Sequence, residues 1–314
     1  MIEFDVLTAG EALVVLAAET PGALEHVERF RRFSAGAELN VAIGLARLGL
    51  RVGYVSRVGD DSFGRFLLAQ MQREGLSHEL VTVDPARSTG FMLKSLARDG
   101  ADPRIDYYRR GSAASAMDAA DLAAAGPAAA RHVHLTGILP ALSAGCRELA
   151  FTLAATARAQ GRRVSFDPNL RPSLWPSQDD MVATVNALAA RSDLVLPGLA
   201  EGRLLTGRDS AEDIAAFYLA LGAGAVVVKL GAEGAFCADR DGLRALVPGV
   251  PVQDVVDTVG AGDGFAVGVI SGLLEGLDLR GATRRANAIG ARMLQFPGDS
   301  DGLPTRRELD SLGG

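Results

Sequence analysis

Residues 257–265 read DTVGAGDGF and run directly into the apolar segment AVGVISGLLEGL at 266–277, which has the composition of a buried helix. Small residues in front of a helix let its backbone approach a ligand closely, and the first N–H groups of a helix have no partner inside it. Here those groups belong to Gly260, Ala261, Gly262 and Asp263. Because the helix dipole favours negative charge at this end, the segment predicts a site for an anion, such as a phosphoryl group in transfer.

Asp263 ends this turn and would lie beside the bound anion. A carboxylate in that position can accept the proton of an attacking hydroxyl group, or orient it. Taken alone, the pattern is equally typical of a tight loop whose aspartate caps the helix. Two other phosphate motifs are excluded, because the chain has no GxxxxGK[ST] and no GxGxxG after its first strand.

Short apolar runs alternate along the chain with stretches of helical period. The predicted strands are 4–9, 52–55, 132–135, 164–167, 194–196 and 225–230. The predicted helices are 39–48, 63–74, 144–160, 181–190, 211–221, 262–276 and 279–296. Because each strand is continuously apolar, we expect it to be covered on both faces. The alternation predicts an α/β protein with a central, mainly parallel sheet flanked by helices.

Two segments, 13–34 and 81–115, break this rhythm with alternating patterns, and a turn is predicted within the second at Asp99-Gly100. We interpret both segments as strands of a small β lid that projects from the main sheet. The alternative is a pair of irregular surface loops. No linker or internal repeat divides the chain, so residues 1–314 are expected to form one domain that includes this lid.

The formal charge of the 314 residues is −6 at pH 7. Without a surplus of basic residues, binding to nucleic acid or to an anionic membrane is not expected. The two cysteines, Cys146 and Cys237, do not have the spacing of a zinc site. The N-terminal MIEFDVLTAG is unlike a signal peptide, and no apolar run is long enough to span a bilayer. These features predict a cytoplasmic enzyme.

The segment at 257–265 resembles the signature D-T-x-G-A-G-D of the ribokinase-like (PfkB) carbohydrate kinases and matches it at all seven positions. In that family the last aspartate is the catalytic base and the G-A-G amides form the anion hole. The resemblance therefore implies the role of base for Asp263. It implies an anion hole made by the backbone of Gly260, Ala261 and Gly262, within a ribokinase-like fold.

A second family signature, in which backbone and an asparagine bind sugar hydroxyls, is similar to GAELN at 36–40 and the VAIGLARLG that follows. This assigns Gly36 and Asn40 to the substrate. Ala35 stands where the family usually has another glycine. A further stretch, GYVSRVGDDSFG at 53–64, resembles the family's G-x-V-G-x-D-x-x-G, so the resemblance covers nearly the whole chain.

The resemblance also implies that ATP lies along the C-terminal part of the sheet. The residues assigned to it are Asn169, Lys229, Gly231, Gly234 and Asn287, the last lining an adenine pocket. Lys229 could equally be a solvated lysine at a strand end. Magnesium is expected with ATP. In the family's N-x-x-E motif the glutamate holds magnesium-bound water; here Glu201 is present but Gly198 replaces the asparagine, so Glu201 is expected to act on the metal through water.

Three segments resemble the 2-keto-3-deoxygluconate kinases of this family: YYRRGSA at 107–113, FDPNLRPSLW at 166–175 and GDSDG at 298–302. The residues they assign to the substrate are Tyr107, Arg109, Arg171 and Asp299. Two arginines suit a substrate with a carboxylate, because a guanidinium can bind that group through two hydrogen bonds. Arg171 could instead contact the transferred phosphate.

Together, these features predict ATP-dependent phosphorylation of a sugar acid, 2-keto-3-deoxygluconate to its 6-phosphate, with Asp263 as base. The alternatives are a fructokinase or another ribokinase-like sugar or nucleoside kinase and, from a different class, a non-catalytic sugar- or nucleotide-binding regulator. A dehydrogenase is disfavoured, because the first βα turn lacks the dinucleotide fingerprint. Since the edge strand of a small sheet can pair with its twin, a homodimer through the lid, or a larger assembly, is expected.

Overall fold

The computed structural model describes residues 4–96, 103–125 and 130–312, and is built around a nine-stranded sheet. The turn predicted at Asp99-Gly100 lies outside these residues. The strands, numbered along the chain, are β1 (Phe4–Ala9), β4 (Val52–Gly59), β5 (Val81–Asp84), β8 (Ala130–Thr136), β9 (Arg163–Asp167), β10 (Leu194–Val195), β11 (Ala225–Lys229), β12 (Gly234–Asp239) and β13 (Arg244–Pro248). They lie in the order β13-β12-β11-β10-β9-β8-β1-β4-β5.

All pairings from β5 to β11 are parallel, and only β11-β12 and β12-β13 are antiparallel. The predicted α/β class with a mainly parallel sheet is therefore confirmed. The six predicted strands are all present, with ends that differ by up to four residues, as at β4. The hairpin of β12 and β13 was not predicted.

Helices cover both faces of this sheet, and one hydrophobic cluster lies on each side. They are α1 (Ala37–Arg47), α2 (Ser62–Arg73), α3 (Ala119–Ala125), α4 (Leu139–Leu142), α5 (Ala144–Ala159), α6 (Gln178–Ala189), α7 (Leu199–Thr206), α8 (Ala211–Leu221), α9 (Ala261–Leu274), α10 (Leu279–Met293) and α11 (Arg306–Ser311). The seven predicted helices correspond to α1, α2, α5, α6, α8, α9 and α10; the short helices α3, α4, α7 and α11 are not among the predicted ranges.

Among the seven helices of eleven or more residues, α1 and α9 begin differently from the other five. Helices α2, α5, α6, α8 and α10 each start after a serine or aspartate whose side chain accepts a hydrogen bond from the first turn. Helices α1 and α9 instead start after Gly36 and Gly260, which have no side chain to do so. Their first N–H groups are therefore left available to a ligand.

Glycines also let α9 pack closely against the helices on either side of it. A Cβ on Gly268 of α9 would lie 2.3 Å from the Cα of Ala286 in α10. A Cβ on Gly44 of α1 would lie 2.6 Å from Cγ2 of Val267 in α9. Because real side chains do not approach so closely, these glycines fix the spacing of the three helices and bring the first turns of α1 and α9 together.

A second sheet of four strands lies over one edge of the main sheet. It consists of β2 (Leu13–Ala18), β3 (Phe30–Ala35), β6 (Phe91–Lys94) and β7 (Ile105–Tyr108), in the order β3-β2-β6-β7. We call it the small sheet. One of its faces, which we call the inner face, has an apolar centre formed by Leu13, Val15, Ala35 and Met92.

The segment 81–115, assigned to the lid as a whole, is divided in the structure. Its first part, β5, extends the main sheet by pairing in parallel with β4, and only β6 and β7 join the small sheet. The assignment of 81–84 to the lid was therefore wrong: the run is short and sits directly after α2, so it completes a βαβ unit with β4. Among the described residues, no helix combines the length and apolarity needed to cross a bilayer.

Candidate active site

A cavity of about 490 Å³ lies between the small sheet and the carboxyl ends of the main-sheet strands. Its floor is formed by the first turns of α1 and α9, and its roof by the inner face of the small sheet. The residues predicted from the sequence that line it are Gly36, Asn40, Tyr107, Arg109, Asn169, Arg171, Glu201, Lys229, Gly260, Gly262, Asp263 and Asp299. Ligand sites of open α/β sheets are found in this position.

Asp263 is buried in the floor of the cavity, where two amides hold its carboxylate. Nδ2 of Asn40 donates to Oδ2 at 2.8 Å, and Nδ2 of Asn169 donates to Oδ1 at 3.3 Å. Burial raises the pKa of Asp263 to about 8; the hydrogen bond from Asn40 opposes this rise, while the charges of Asp167 and Asp299 add to it. The carboxyl is therefore fixed in place and much more basic than an ordinary aspartate.

The turn before α9 exposes its backbone to the same cavity. Gly260 has a φ of 81°, and a Cβ there would lie 2.3 Å from the carbonyl oxygen of Asp299, so only glycine fits. In the described part of the chain, no carbonyl or side chain accepts from the N–H groups of residues 260–263. Four donors at a helix N-terminus, beside a basic carboxyl, form a site for a charged oxygen.

Lys229 reaches the cavity from the end of β11. Its Nζ donates to Oδ2 of Asp167 at 2.7 Å. Burial alone would lower the pKa of Lys229, but the charges of Asp167 and Glu201 outweigh that effect and raise it. The side chain is thus a fixed ammonium ion within the site, not a solvated lysine.

The loop after β9 is held by carboxylates from two directions. Asn169 has a left-handed backbone, with a φ of 38°, and its N–H donates to Oδ1 of Asp167. Glu201 accepts from the N–H groups of Leu170 at 2.7 Å and Gly198 at 2.8 Å. Both oxygens of Glu201 are therefore engaged by the backbone, and its carboxylate positions the loop that carries Asn169.

The two arginines predicted to bind substrate differ in their charge environment. Arg109 is buried and paired with Glu11, whose Oε2 accepts from Nε at 2.6 Å and lies 2.5 Å from Nη2. Oε1 of Glu11 accepts from Ser112 as well. Arg171 is half-buried, and Nη1 donates to the carbonyl of Leu170 at 2.9 Å. Among the described residues no carboxylate lies within ion-pairing distance of Arg171, so of the two arginines it is the one with an unpaired charge that can meet an anion.

Comparison with known proteins agrees with this architecture. The model of the pfkB family of carbohydrate kinases matches residues 4–306.

The chain belongs to the pfkB carbohydrate kinase family.

A 2-dehydro-3-deoxygluconokinase of Bacillus subtilis (strain 168) is 47% identical over 312 residues, covering 99% of this chain and 96% of that protein. The crystal structure of a PfkB protein from Polaromonas sp. JS666 is 51% identical, with a TM-score of 0.90, and the match covers 98% of this chain and 99% of that one. A putative ribokinase II from E. coli, solved with ATP and Mg²⁺, is 25% identical with a TM-score of 0.87 and covers 99% of both chains. The family and the ribokinase-like fold predicted from the sequence are confirmed.

Three residues predicted to bind nucleotide do not line the cavity of this pfkB kinase. Gly231 and Gly234, with φ of 63° and 103°, shape the turn between β11 and β12. Asn287 of α10 donates to the carbonyls of Val247 at 3.0 Å and Pro248 at 2.9 Å, so it ties α10 to the end of β13. Their roles toward ATP stay predictions.

Other residues of the cavity were missed by the sequence analysis. Glu11 and Asp167 each hold a predicted cation, as described above. Glu38, buried in α1, accepts from Thr136 at 2.6 Å, and burial raises its pKa to about 7. An aspartate at the end of a continuously apolar strand was a signal for Asp167, but nothing local marks Glu11 or Glu38.

Magnesium is expected to bind together with ATP. Within the residues that the structure describes, no group of three or more His, Cys, Asp or Glu side chains could hold a metal ion. The unengaged amides of 260–263 and the fixed ammonium of Lys229 suit phosphate oxygens. The carboxylates of Asp167 and Glu201 border the same space and suit water bound to a hard cation, so the residues present fit magnesium held by ATP and water.

The pKa of Asp263 gives a prediction for stability. Replacing Asp263 by Asn should raise the free energy of unfolding, and by more at pH of about 8 than at pH of about 5. At pH values between the ordinary pKa of an aspartate and about 8, the Asp263 carboxyl is ionised in the unfolded chain but protonated in the folded one. The wild type therefore loses stability as the pH rises through this range. Each unit by which the pKa is raised corresponds to about 1.4 kcal/mol.

Thermal unfolding of both proteins across this pH range measures the difference. Asp254→Asn, which removes an exposed carboxylate in the segment before the turn, is the control and should show no pH-dependent gain. An increment for Asp263→Asn that is equal at both pH values would contradict the raised pKa.

Proposed function

We propose that this protein transfers the γ-phosphoryl group of ATP to the 6-hydroxyl of 2-keto-3-deoxygluconate, the compound also called 2-dehydro-3-deoxygluconate. The 47% identity to the B. subtilis 2-dehydro-3-deoxygluconokinase supports this substrate. The observation that carries the proposal is the arrangement of Asp263. Its basic carboxyl lies at the head of α9, inside the cavity. Within the described residues, the four amides next to it have no protein acceptor and Arg171 has no carboxylate partner.

In the proposed reaction Asp263 accepts the proton of the attacking hydroxyl. Ionised for this role, it would be oriented by the amides of Asn40 and Asn169, which present one donor to each of its oxygens. The backbone N–H groups of Gly260, Ala261 and Gly262 would hold the oxygens of the transferred group, on which negative charge develops. Magnesium, bound with ATP, would neutralise part of that charge. The residues of the chain thus supply proton acceptance, orientation and an anion hole.

The surrounding residues would place the two substrates on either side of Asp263. Lys229, clamped by Asp167, would face the phosphates, and Glu201 would hold the loop of Asn169 and reach magnesium through water. Oδ1 of Asn40 is buried and has no hydrogen-bond partner in the described part of the chain, so it suits a sugar hydroxyl, as does the backbone at Gly36. Asp299, also buried in the lining, would accept from a second hydroxyl.

The sugar carboxylate is assigned to Arg171. Arg109 is neutralised by Glu11, so with Tyr107 it would donate to a keto or hydroxyl oxygen, which needs no net charge. Tyr107 is 39% exposed and has Arg109 over its ring at 5.7 Å. The small sheet that carries Tyr107 would act as a lid over the sugar, excluding water from the transfer.

Replacing Asp263 by Asn should lower kcat by about 10²–10⁴-fold, because general-base catalysis contributes that much. ATP should still bind, since the amides of 260–263 belong to the backbone. A coupled kinase assay with 2-keto-3-deoxygluconate, gluconate, fructose and ribose measures the rate, and calorimetry with a non-hydrolysable ATP analogue measures binding. A fully active Asp263→Asn variant would show that Asp263 is not the base. If the wild type phosphorylated fructose or ribose but not the sugar acids, the proposed substrate would be wrong. No turnover of any sugar would favour a binding regulator.

Arg171→Met should reduce kcat/KM for the sugar acid by at least about tenfold, and far more than for any neutral sugar the enzyme accepts. The loss of a hydrogen-bonded charge pair to a bound anion accounts for this size. The same coupled assay, run on a sugar acid and a neutral sugar in parallel, gives the ratio. Arg110→Met, which removes a neighbouring exposed arginine of the lid segment, should leave the ratio unchanged. Equal losses of kcat/KM on both sugars would indicate that Arg171 contacts the transferred phosphate instead of the sugar carboxylate.

A homodimer through the small sheet is part of this proposal. The sheet has two edge strands, β3 and β7, and exposes apolar surface at Tyr108 and Leu96, which are 53% and 46% accessible. Exposed edges and apolar side chains of this kind are commonly covered by a second copy. Sedimentation equilibrium should give twice the 32.7 kDa mass of the chain. A single-chain mass over the whole concentration range would contradict the dimer.

A further inference from the structure

The chain contains 32 lysines and arginines, and only two of them, Lys94 and Lys229, are lysines. Both are largely buried, and each donates to a carboxylate: Lys94 to Asp257 and Lys229 to Asp167. Lys229 has a place in the proposed function, because it borders the cavity. Lys94 lies on the small sheet and is only 7% exposed, and the proposed function gives it no role.

Lys94 is the last residue of β6 and lies in register with Ala17 of β2, in the small sheet. Its Nζ donates to Oδ2 of Asp257 at 2.6 Å and lies 3.8 Å from Oδ1 of Asp299. Asp257 and Asp299 belong to the segments before α9 and after α10. The ammonium ion therefore spans the gap between the small sheet and the body of the protein.

The two carboxylates that Lys94 contacts are in turn connected to the anion-hole turn. Oδ1 of Asp257 accepts from the N–H of Val259, one residue before Gly260. The carbonyl of Asp299 packs against Gly260 so closely that a Cβ there would lie 2.3 Å away. The ammonium ion of Lys94 thus contacts both aspartates, Asp257 and Asp299, that position Gly260. Separating the small sheet from the body would leave two largely buried carboxylates without their cation, which is costly.

We propose that Lys94 is a positioning residue that couples the small sheet to the anion-hole turn, so that closure of the sheet over the sugar sets the amides that receive the phosphoryl group. The inference rests on the proposed function for its catalytic meaning, but the mechanical link is a property of the contacts alone. Coupling of this kind is reciprocal: the sugar strengthens nucleotide binding by the same factor as the nucleotide strengthens sugar binding.

The first arm of the test needs no ligand. In the wild type, the amides of Val256 and Asp257 donate to Leu294 and that of Val259 donates to Asp257, so these groups are protected. Hydrogen exchange measured over residues 256–259 should be at least about tenfold faster in Lys94→Met. Arg104→Met, which removes an exposed charge of the same sheet, is the control and should leave it unchanged.

The second arm measures the coupling itself. Calorimetric titration of a non-hydrolysable ATP analogue with Mg²⁺, with and without saturating 2-keto-3-deoxygluconate, should show about five- to 100-fold tighter binding with the sugar acid in the wild type. In Lys94→Met this factor should fall towards one while the nucleotide alone binds nearly as before. A variant that was merely less stable would keep the factor, so the readout separates positioning from folding.

Each result decides between the two proposals. Faster hydrogen exchange in Lys94→Met, together with no turnover of the sugar acid by the wild type, would support the link between the small sheet and the turn but contradict the proposed substrate. Normal turnover with unchanged exchange or an unchanged coupling factor in Lys94→Met would overturn the link alone. If Lys94→Met does not fold, the double variant Lys94→Met, Asp257→Asn removes the unpaired carboxylate; a coupling factor retained in it would also overturn the proposal.

Discussion

The hydrogen bond between Asn40 and Asp263 joins the first turns of α1 and α9, and the cavity exists because these two turns meet. Gly44 of α1 leaves room for the side chain of Val267 in α9, and Gly268 lets α9 approach the backbone of α10. Because Gly36 and Gly260 leave both helix starts without side-chain caps, the donors at the meeting point are available to a ligand. Glycines on these helices therefore set the packing of the core, and glycines just before them leave the donors of the site available.

The cavity has more acids than bases, although the ligands proposed for it are anions. Its lining contains Glu11, Glu38, Asp167, Glu201, Asp263 and Asp299 against Arg109, Arg171 and Lys229. Burial raises the pKa of Asp263, Glu38 and Asp299 to about 8, 7 and 6. The net negative charge of the lining near neutral pH is therefore smaller than a count of its acidic and basic side chains suggests. An anionic substrate and a metal-bound nucleotide can then enter, and the cations that remain determine where each anion lies.

The sequence was sufficient for features whose cause is local. The βα rhythm gave the parallel sheet, and the small residues of 257–265 located the helix start and Asp263. Sequence analysis failed where a partner is distant in the chain or where a strand lies outside the βα alternation. Glu11 meets Arg109 across 98 positions, and no periodicity marks such a pair. The hairpin of β12 and β13 has no helix between its strands, so it falls outside the βα alternation by which the inner strands were predicted.

The geometry of the side chains explains why lysine, and not arginine, is found at positions 94 and 229. An arginine fork is planar and binds a carboxylate through two parallel hydrogen bonds, as Arg47 does with Glu74. An ammonium ion is compact and directs three donors to separate acceptors. Lys94 lies near two carboxylates from different segments, and Lys229 holds Asp167 while lying 3.8 Å from the position of a Cβ on Gly262. A compact cation suits these two positions, where side chains and backbone from separate segments converge, and both are occupied by lysine although arginine is used elsewhere.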